Sequence, residues 1–355
     1  MTRPFLPAGK LPSALLRRLL TSVPKGRRDP TVLVGPGNGL DAAAIRLGSH
    51  RLVLKTDPIT FLAEDLGLYA LTINANDLAT MGARPRWFLA TLLLPAGLTS
   101  APDVSRLFSQ LGMACRRLRV TLCGGHTEIT DAVTRPVIVG CLLGDCPKGR
   151  LITTAGAQVG DALLLTKGIP IEAVSILGRV RSRDLRRRYS ARFVARCRNF
   201  LEHPGISIAR DAQIALAAGG VHAMHDPTEG GLSAALYELA DAAGVGVLVE
   251  HRAIRILPEG ARLCADFGLD PLGAVASGAL LISADPRFER RILGRLADAG
   301  VAAARIGTVG PARQGCRLRA ADGRVRPIPR FAVDEIARLF ATRHGRAGAG
   351  SSHGA

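Results

Sequence analysis

Acidic residues that adjoin glycines are the residues of this chain best suited to chemistry. The clearest case is the turn from Asp226 to Gly231, which follows the apolar run Val221 to Met224. A helical pattern comes next, with apolar residues at 232, 235, 236, 239 and 243 and a glycine stop at Gly244. A helix N-terminus favours negative charge, including phosphate, and carboxylates beside a phosphate need a divalent cation. The alternative for one such turn is an ordinary helix cap with solvated acids.

Similar acids follow three other short apolar runs. Asp57 precedes Pro58, and because proline cannot donate to a strand ladder, we predict that Asp57 ends a strand and faces a loop. Glu128 closes a predicted turn with two glycines, which would let backbone amides approach a ligand. Asp41 follows the glycine-rich loop 35–39, whose spacing matches neither a P-loop nor a dinucleotide motif.

The segment 69–83 predicts a helix that carries polar residues away from its apolar stripe. These are Asn74, Asn76 and Asp77. Asparagine is unfavourable inside a helix, so its presence suggests that its side chain makes a polar interaction. With Asp77 the chain has acids at five separate elements, and no cluster of histidine and cysteine accompanies them. Oxygen ligands of this kind favour Mg²⁺ over zinc. The acids therefore predict a polynuclear Mg²⁺ site that holds a nucleoside triphosphate.

Five motifs occur in the order found in the aminoimidazole ribonucleotide synthetase superfamily, which the chain resembles over about residues 30–312. They are G-x-D-A-A at 39–43, T-D-P-I-T at 56–60, N-A-N-D-L-A at 74–79, G-G-H-T-E at 124–128 and D-P-T-E-G-G-L at 226–232. The superfamily includes selenophosphate synthetase, thiamine-monophosphate kinase and the hydrogenase maturation factor HypE, and the chain looks closest to the HypE-like branch. The resemblance implies an enzyme that uses Mg²⁺ and ATP to phosphorylate, and so activate, an amide, carbonyl or similar acceptor.

The resemblance also implies roles for individual residues. The implied metal ligands are Asp41, Asp57, Asp77, Glu128, Asp226 and Glu229. The implied nucleotide-binding residues are Asn76, Asp77, Gly124, Gly125, Thr127, Thr228 and Gly230. His126 and His225 adjoin the acidic turns and are the candidates for proton transfer, with a hydrogen-bonded structural role as the alternative for each. Lys55 and Lys167 end strand-like runs, where each contacts either phosphate or solvent.

Two features depart from the superfamily. Leu40 stands where a second acid often precedes the aspartate, which predicts that one metal is absent or weakly held. The last cysteine is Cys316, with 39 residues after it, so carbamoyl dehydration on a C-terminal thiol is not expected. Both departures leave a second hypothesis open, in which the protein is a non-catalytic, nucleotide-binding accessory or maturation protein. It would assemble with a partner through the arginine-rich segment 179–198.

The basic composition does not predict a nucleic-acid partner. The formal net charge is +18, but only five of the 47 basic residues are lysine, as a GC-rich genome would produce. The densest segment, 179–198, has nine arginines and no recognisable nucleic-acid motif. We expect instead a small-molecule or protein-bound acceptor.

The cysteines and the apolar runs indicate a cellular compartment. The seven cysteines include no C-x-x-C pair, and without a secretory signal they indicate reduced thiols. Cys123 is interpreted as a core residue, with a catalytic thiol as the alternative. No apolar run approaches the ~20 residues that span a bilayer. We therefore expect a cytoplasmic protein that does not enter a membrane.

Strand-like and helical patterns alternate through both halves of the chain, which predicts an α/β fold. We predict an N-terminal ATP- and metal-binding domain at 1–150, a second domain at 151–340 and a disordered tail at 341–355. The resemblance makes these two PurM-like α+β domains. It implies that the mixed sheet of the first closes into a barrel across a homodimer, while the second is an α/β domain.

Overall fold

The computed structural model of the protein describes residues 10–23, 29–60, 64–147 and 151–341. Its strands are β1 (Val32–Val34), β2 (Ala43–Leu47), β3 (His50–Ile59), β4 (Arg84–Pro95), β5 (Thr121–Thr130), β6 (Val137–Cys146), β7 (Ala162–Thr166), β8 (Val221–His225), β9 (Val245–Glu250), β10 (Leu281–Ala284), β11 (Ala303–Pro311), β12 (Cys316–Arg319) and β13 (Val325–Pro327). Its helices are α1 (Ser13–Ser22), α2 (Leu66–Thr80), α3 (Ala101–Leu118), α4 (Ile171–Val180), α5 (Ser182–Arg186), α6 (Ala191–Arg198), α7 (Ala209–Ala218), α8 (Gly231–Ala243), α9 (Pro258–Phe267), α10 (Glu289–Asp298) and α11 (Arg338–Ala341).

The first sheet is mixed and has the strand order β1-β2-β3-β6-β4-β5. Its strands pair antiparallel except β4 and β5, which run parallel because α3 connects them. Among the strands that the structure describes, β5 pairs only with β4, and positions 121–129 are exposed. The sheet therefore ends in a long strand edge with free backbone groups.

The second sheet is also mixed, with the order β13-β12-β9-β11-β7-β10-β8. Only β9 and β12 run parallel to each other. β7 and β10 lie inside the sheet, and every residue of both strands is buried. Continuous apolar runs are typical of strands that are covered on both faces. The α/β class with two mixed sheets is thus confirmed.

Helix α2 lies at the centre of the molecule. It packs on β3 and β6 of the first sheet, on α3, and on α7 from the second half of the chain. All of its residues except Leu68 are buried. The apolar stripe expected from the sequence is present, but the polar residues off that stripe are buried too, since protein surrounds the helix on all sides.

Two local predictions are wrong. Asp57 does not end a strand, because β3 continues to Ile59. β2 pairs with β3 only as far as Leu54, so β3 is an edge strand at Pro58, where proline is tolerated.

The second error is the glycine turn at 124–128, which is part of strand β5. Gly125 has φ +148°, and a Cβ there would overlap the backbone of Ala90 on β4. Glycine at this position therefore allows two strands to pair closely. In the sequence alone, such a glycine looks the same as one in a ligand-binding turn.

Some predictions fall on parts of the chain that the structure does not describe. The predicted domain boundary adjoins residues 148–150, and the predicted tail from residue 342 onward lies outside the described residues. The assignment of the two domains stays a prediction. Within the described ranges, no helix combines the length and the apolarity needed to cross a bilayer.

Candidate functional site

Acidic side chains from several elements meet between the two sheets. Asp57 belongs to β3, Asp77 to α2, and Asp41 to the loop that precedes β2. His225 is the last residue of β8, and Asp226 follows it. Asp41, His225 and Asp226 are buried and place ligand atoms within 4.8 Å of one another. Asp77 is buried as well and interacts electrostatically with Asp226, Asp41 and Asp57. The buried acids Asp41, Asp77 and Asp226 are called the acid cluster below, with Asp57 at its margin.

Asp226 is the least satisfied acid of the cluster. Both of its carboxylate oxygens are buried without a hydrogen-bond partner among the described residues, and so is Oδ2 of Asp41. Burial, reinforced by the Asp41 carboxylate, raises the pKa of Asp226 to about 7. Burial also raises the pKa of Asp77 well above its usual range. Buried carboxylate oxygens that lack donors fit a hard divalent cation such as Mg²⁺.

Two lysines compensate part of this negative charge. Nζ of Lys55 lies 3.2 Å from Asp77 Oδ2 and 3.8 Å from Asp57 Oδ2. Lys55 and Asp57 are two residues apart on β3, so their side chains share one face of the strand. Although burial disfavours its charge, these carboxylates hold the pKa of Lys55 above its ordinary value. Lys55 is therefore a cation of the site.

Lys10 is the second cation, and no motif or periodicity of the sequence indicates it. Its Nζ donates to Thr228 Oγ1 at 2.7 Å and lies 3.5 Å from Glu229 and 3.9 Å from Glu238. Partial burial opposes the charge, but Glu238 and Glu229 together hold the pKa of Lys10 above its ordinary value. Because 218 positions separate Lys10 from Thr228, no local sequence signal could have revealed this contact.

His225 lies between two carboxylates. Its Nδ1 is 2.6 Å from Asp41 Oδ1 and its Nε2 is 2.9 Å from Glu238 Oε2. Burial opposes protonation, yet Asp41 and Glu238 hold the pKa of His225 well above its usual value. Burial would raise the pKa of Glu238, but Lys10 and His225 lower it to about 2. Nε2 is hydrogen-bonded to Glu238, whereas Nδ1 faces Asp41 as an ion pair.

Two predicted nucleotide-binding groups have partners within the protein. Asn76 is fully buried; its Nδ2 donates to Ile206 O at 2.8 Å, and its Oδ1 accepts from Ile208 N at 3.0 Å. The Gly230 amide donates to Asp334 Oδ2 at 2.7 Å. Asn76 therefore joins α2 to the second half of the chain, and the Gly230 amide is not available to phosphate in this structure.

Lys167 and Cys123 do not belong to the acid cluster. Lys167 Nζ donates to Ser207 O at 2.6 Å and lies 3.2 Å from the buried Asp211, so the side chain is mostly enclosed and lies outside the cluster. Burial, which Asp211 only partly offsets, lowers its pKa. The Cys123 thiol donates to Phe88 O at 3.5 Å on the neighbouring strand. Cys123 is exposed, contrary to the core position expected for it.

The G-G-H-T-E motif lies on the open edge of the first sheet. Gly124, Gly125 and Thr127 are exposed on β5, and His126 Nε2 lies 3.7 Å from Glu128. More than half of each of these two side chains is exposed. This motif therefore lies outside the acid cluster.

Comparisons with known proteins identify the family and the fold of the chain. The profile of "AIR synthase related protein, N-terminal domain" matches residues 39–146, and that of the C-terminal domain matches 158–317. Carbamoyl dehydratase HypE of Cupriavidus necator is 31% identical over 254 residues, covering 69% of this chain and 68% of its own. Selenide, water dikinase of Escherichia coli is 28% identical over 344 residues, covering 86% and 92%. A crystal structure of HypE in complex with ATP superposes with a TM-score of 0.67 at 24% identity, covering 88% and 89%.

Proposed function

Because this chain belongs to the AIR synthase related family, we propose that it binds ATP with Mg²⁺ at the acid cluster and phosphorylates an acceptor. The acceptor oxygen belongs to an amide, a carbonyl or a similar group, on a small molecule or on a protein. The observation that carries the proposal is Asp226, whose buried oxygens have no donor among the described residues. Relatives that are named carbamoyl dehydratase and dikinase support ATP-dependent chemistry.

The residues of the cluster divide into three roles. Asp41, Asp77 and Asp226 hold Mg²⁺, which neutralises phosphate charge when it is bound. Lys55 and Lys10 supply positive charge to the phosphate oxygens. His225 is a positioning residue, since its contacts with Asp41 and Glu238 fix the orientation of both acids. Catalysis of this kind rests on positioning and charge stabilisation more than on covalent chemistry by the protein.

The active unit is proposed to be a homodimer. The exposed edge of β5 invites pairing with a second copy, and Leu122 and Ile129 on that strand are 39% and 53% exposed. Such pairing would cover these apolar side chains. It would also bring the second copy's Thr127 and Glu128 toward the acid cluster that they do not reach within one protomer.

The proposal is tested by calorimetric titration of ATP with Mg²⁺ and with EDTA. Two like charges ~4 Å apart repel by about 4 kcal/mol at an effective dielectric constant of ~20, so ATP should bind only with the metal. Equal affinity in EDTA would refute the metal-bridged site. Release of ADP with a panel of amides and carbamoyl compounds then separates the two hypotheses. Saturable, metal-dependent binding without turnover on any compound favours the accessory protein.

A further inference from the structure

A second cavity lies at the end of β8 that is remote from the acid cluster. Its volume is about 460 Å³, within the range of ~300–1,000 Å³ that is typical of small-molecule sites. Residues of the segment 151–158 form one wall, and the end of α7 and the start of β8 form the other. His222 belongs to the second wall and precedes His225 by three residues, or about 10 Å along a strand. The cavity is therefore separate from the acid cluster.

A β-bulge directs the side chain of His222. Two consecutive residues of β10 pair with Ala223 and with Val221 on β8, so His222 is an extra residue between them without a partner on β10. Bulges of this kind re-aim a side chain, and they are frequent next to active sites. Here the side chain contacts Asp161, and His222 lines the cavity.

Asp161 determines which ring nitrogen of His222 is available. Nδ1 of His222 lies 2.9 Å from Asp161 Oδ1. The same carboxyl group accepts hydrogen bonds from Gln158 N at 3.0 Å and from Ser283 Oγ at 2.6 Å. A carboxylate has only acceptor sites, so Nδ1 carries the hydrogen of its bond to Asp161. Nε2 is then the acceptor of the neutral ring, and it has no hydrogen bond or ion pair with any residue that the structure describes.

Burial differs between the two ends of this pair. The side chain of Asp161 is 4% exposed and Ser283 is fully buried, whereas the side chain of His222 is 27% exposed. Protein groups therefore hold the carboxylate in place, while the outer edge of the imidazole ring remains accessible. A histidine that a buried carboxylate orients in this way is pre-organised to accept a hydrogen bond through its other nitrogen.

The remaining wall of the cavity carries no charge. Apolar side chains come from Ile152, Leu216 and Val221, and uncharged polar ones from Thr153 and Gln158. Among the described residues that line the cavity, none is an aspartate, glutamate, lysine or arginine. A charged ligand would leave water without meeting a counter-charge on this wall, which favours a neutral ligand.

We propose that this cavity binds a neutral small molecule that has an apolar body and an N–H or O–H donor at one edge. The donor gives its hydrogen bond to Nε2 of His222, and the apolar body lies against Ile152, Leu216 and Val221. Neither the acid cluster nor a nucleotide takes part, so the inference is independent of the proposed function. It gives the chain a second ligand site.

Indole and benzofuran are a matched pair of probes, because benzofuran has a ring oxygen in place of the indole N–H. Each is titrated into the full chain at pH 8 and followed by ligand-observed NMR. The wild-type protein should bind indole about three- to tenfold more tightly than benzofuran, the scale of one hydrogen bond. Equal binding of the two probes, or binding of neither, would overturn the proposal.

Substitution of His222 tests the role of Nε2. In His222→Asn the side-chain amide can replace Nδ1 as the donor to Asp161, but nothing replaces Nε2. This variant should keep the melting temperature of the wild type and bind the two probes within about twofold of each other. His222→Phe, which keeps an aromatic ring without nitrogen, is the second variant and should show the same loss. His50→Asn, at an exposed histidine, is the matched control and should keep the preference for indole.

A preference for indole that survived in His222→Asn or His222→Phe would overturn the proposal. Histidine ¹⁵N spectra of the wild type give a second measurement. Indole should shift the Nε2 resonance that both variants lack, and benzofuran should not; a resonance that stayed in place with saturating indole would also overturn it. His222→Asn should bind ATP with Mg²⁺ as the wild type does, since the acid cluster is unchanged. Failure of nucleotide binding would therefore concern the proposed function alone.

Discussion

Replacing Asp226 with asparagine should stabilise the metal-free protein at alkaline pH. The folded-state pKa of Asp226 is about 7, against an ordinary value of 3.8. One pKa unit corresponds to ~1.36 kcal/mol, so the ionised Asp226 lowers the free energy of unfolding by at most about 4 kcal/mol. That is a large fraction of the ~5–15 kcal/mol by which native proteins are stable.

The direction of this pH dependence of stability follows from whether the folded or the unfolded chain holds the Asp226 proton. Below about pH 4 the carboxyl group is protonated in both the folded and the unfolded chain, and its contribution to stability is fully present. Between about pH 4 and pH 7 the unfolded chain releases the proton and the folded chain keeps it, so stability falls as pH rises. Asp226→Asn cannot ionise, and its stability relative to wild type should rise by up to about 3 kcal/mol from pH 5 to pH 8.

Urea unfolding in EDTA at pH 5 and pH 8 measures this difference. Asp322→Asn, at a side chain that is 59% exposed, is the control and should show no pH-dependent gain. Adding Mg²⁺ at pH 8 should restore the stability of the wild type and leave Asp226→Asn unchanged, since a ligand stabilises only the state it binds. If Asp226→Asn were less stable than wild type in EDTA at pH 8, Asp226 would be a structural acid and the argument for a metal site would fail.

Three further outcomes are expected. Asp57→Asn or Asp77→Asn should weaken Mg²⁺-dependent ATP binding by about 1.5–3 kcal/mol in calorimetry, while leaving the melting temperature in EDTA equal or higher. Asn76→Ala leaves two buried backbone groups unpaired and should lower the free energy of unfolding in urea by about 2–4 kcal/mol; a loss below 1 kcal/mol would contradict its bridging role. Ile129→Asp on the exposed edge of β5 should give a monomer by light scattering if copies pair there, and a wild-type monomer would remove the dimer proposal.

Patterns that depend on local spacing were readable from the sequence. Helix α8 runs from Gly231 to Ala243, as predicted by its apolar residues at helical spacing and the glycine stop at Gly244. Three of the six implied metal ligands, Asp41, Asp77 and Asp226, are buried together, and each of them lies in a motif that the sequence analysis quotes.

Features that depend on residues distant in the sequence could not be predicted from it. The glycines at 124 and 125 have the same sequence signature whether they bind phosphate or pair closely with β4, and only the neighbouring strand decides between these roles. The polar residues of α2 divide between two roles: Asn76 binds the segment 206–208 that precedes α7, and only Asp77 reaches the acid cluster. Lys10 joins the acid cluster from the far end of the chain, and neither motif nor periodicity records such a contact.

The adjacent positions of Asn76 and Asp77 on α2 limit how the protein can move. Asn76 holds the segment 206–208 of the second half, and Asp77 carries a carboxylate of the acid cluster. A hinge motion that separates the two halves would have to break both buried hydrogen bonds of Asn76, at about 1–3 kcal/mol each, and would displace the neighbouring carboxylate. Jaw-like opening is therefore costly, whereas the contacts of Lys10 with Thr228 and Glu229 and the ion pair of Arg17 with Asp241 involve side chains that are one third or more exposed and are easier to release.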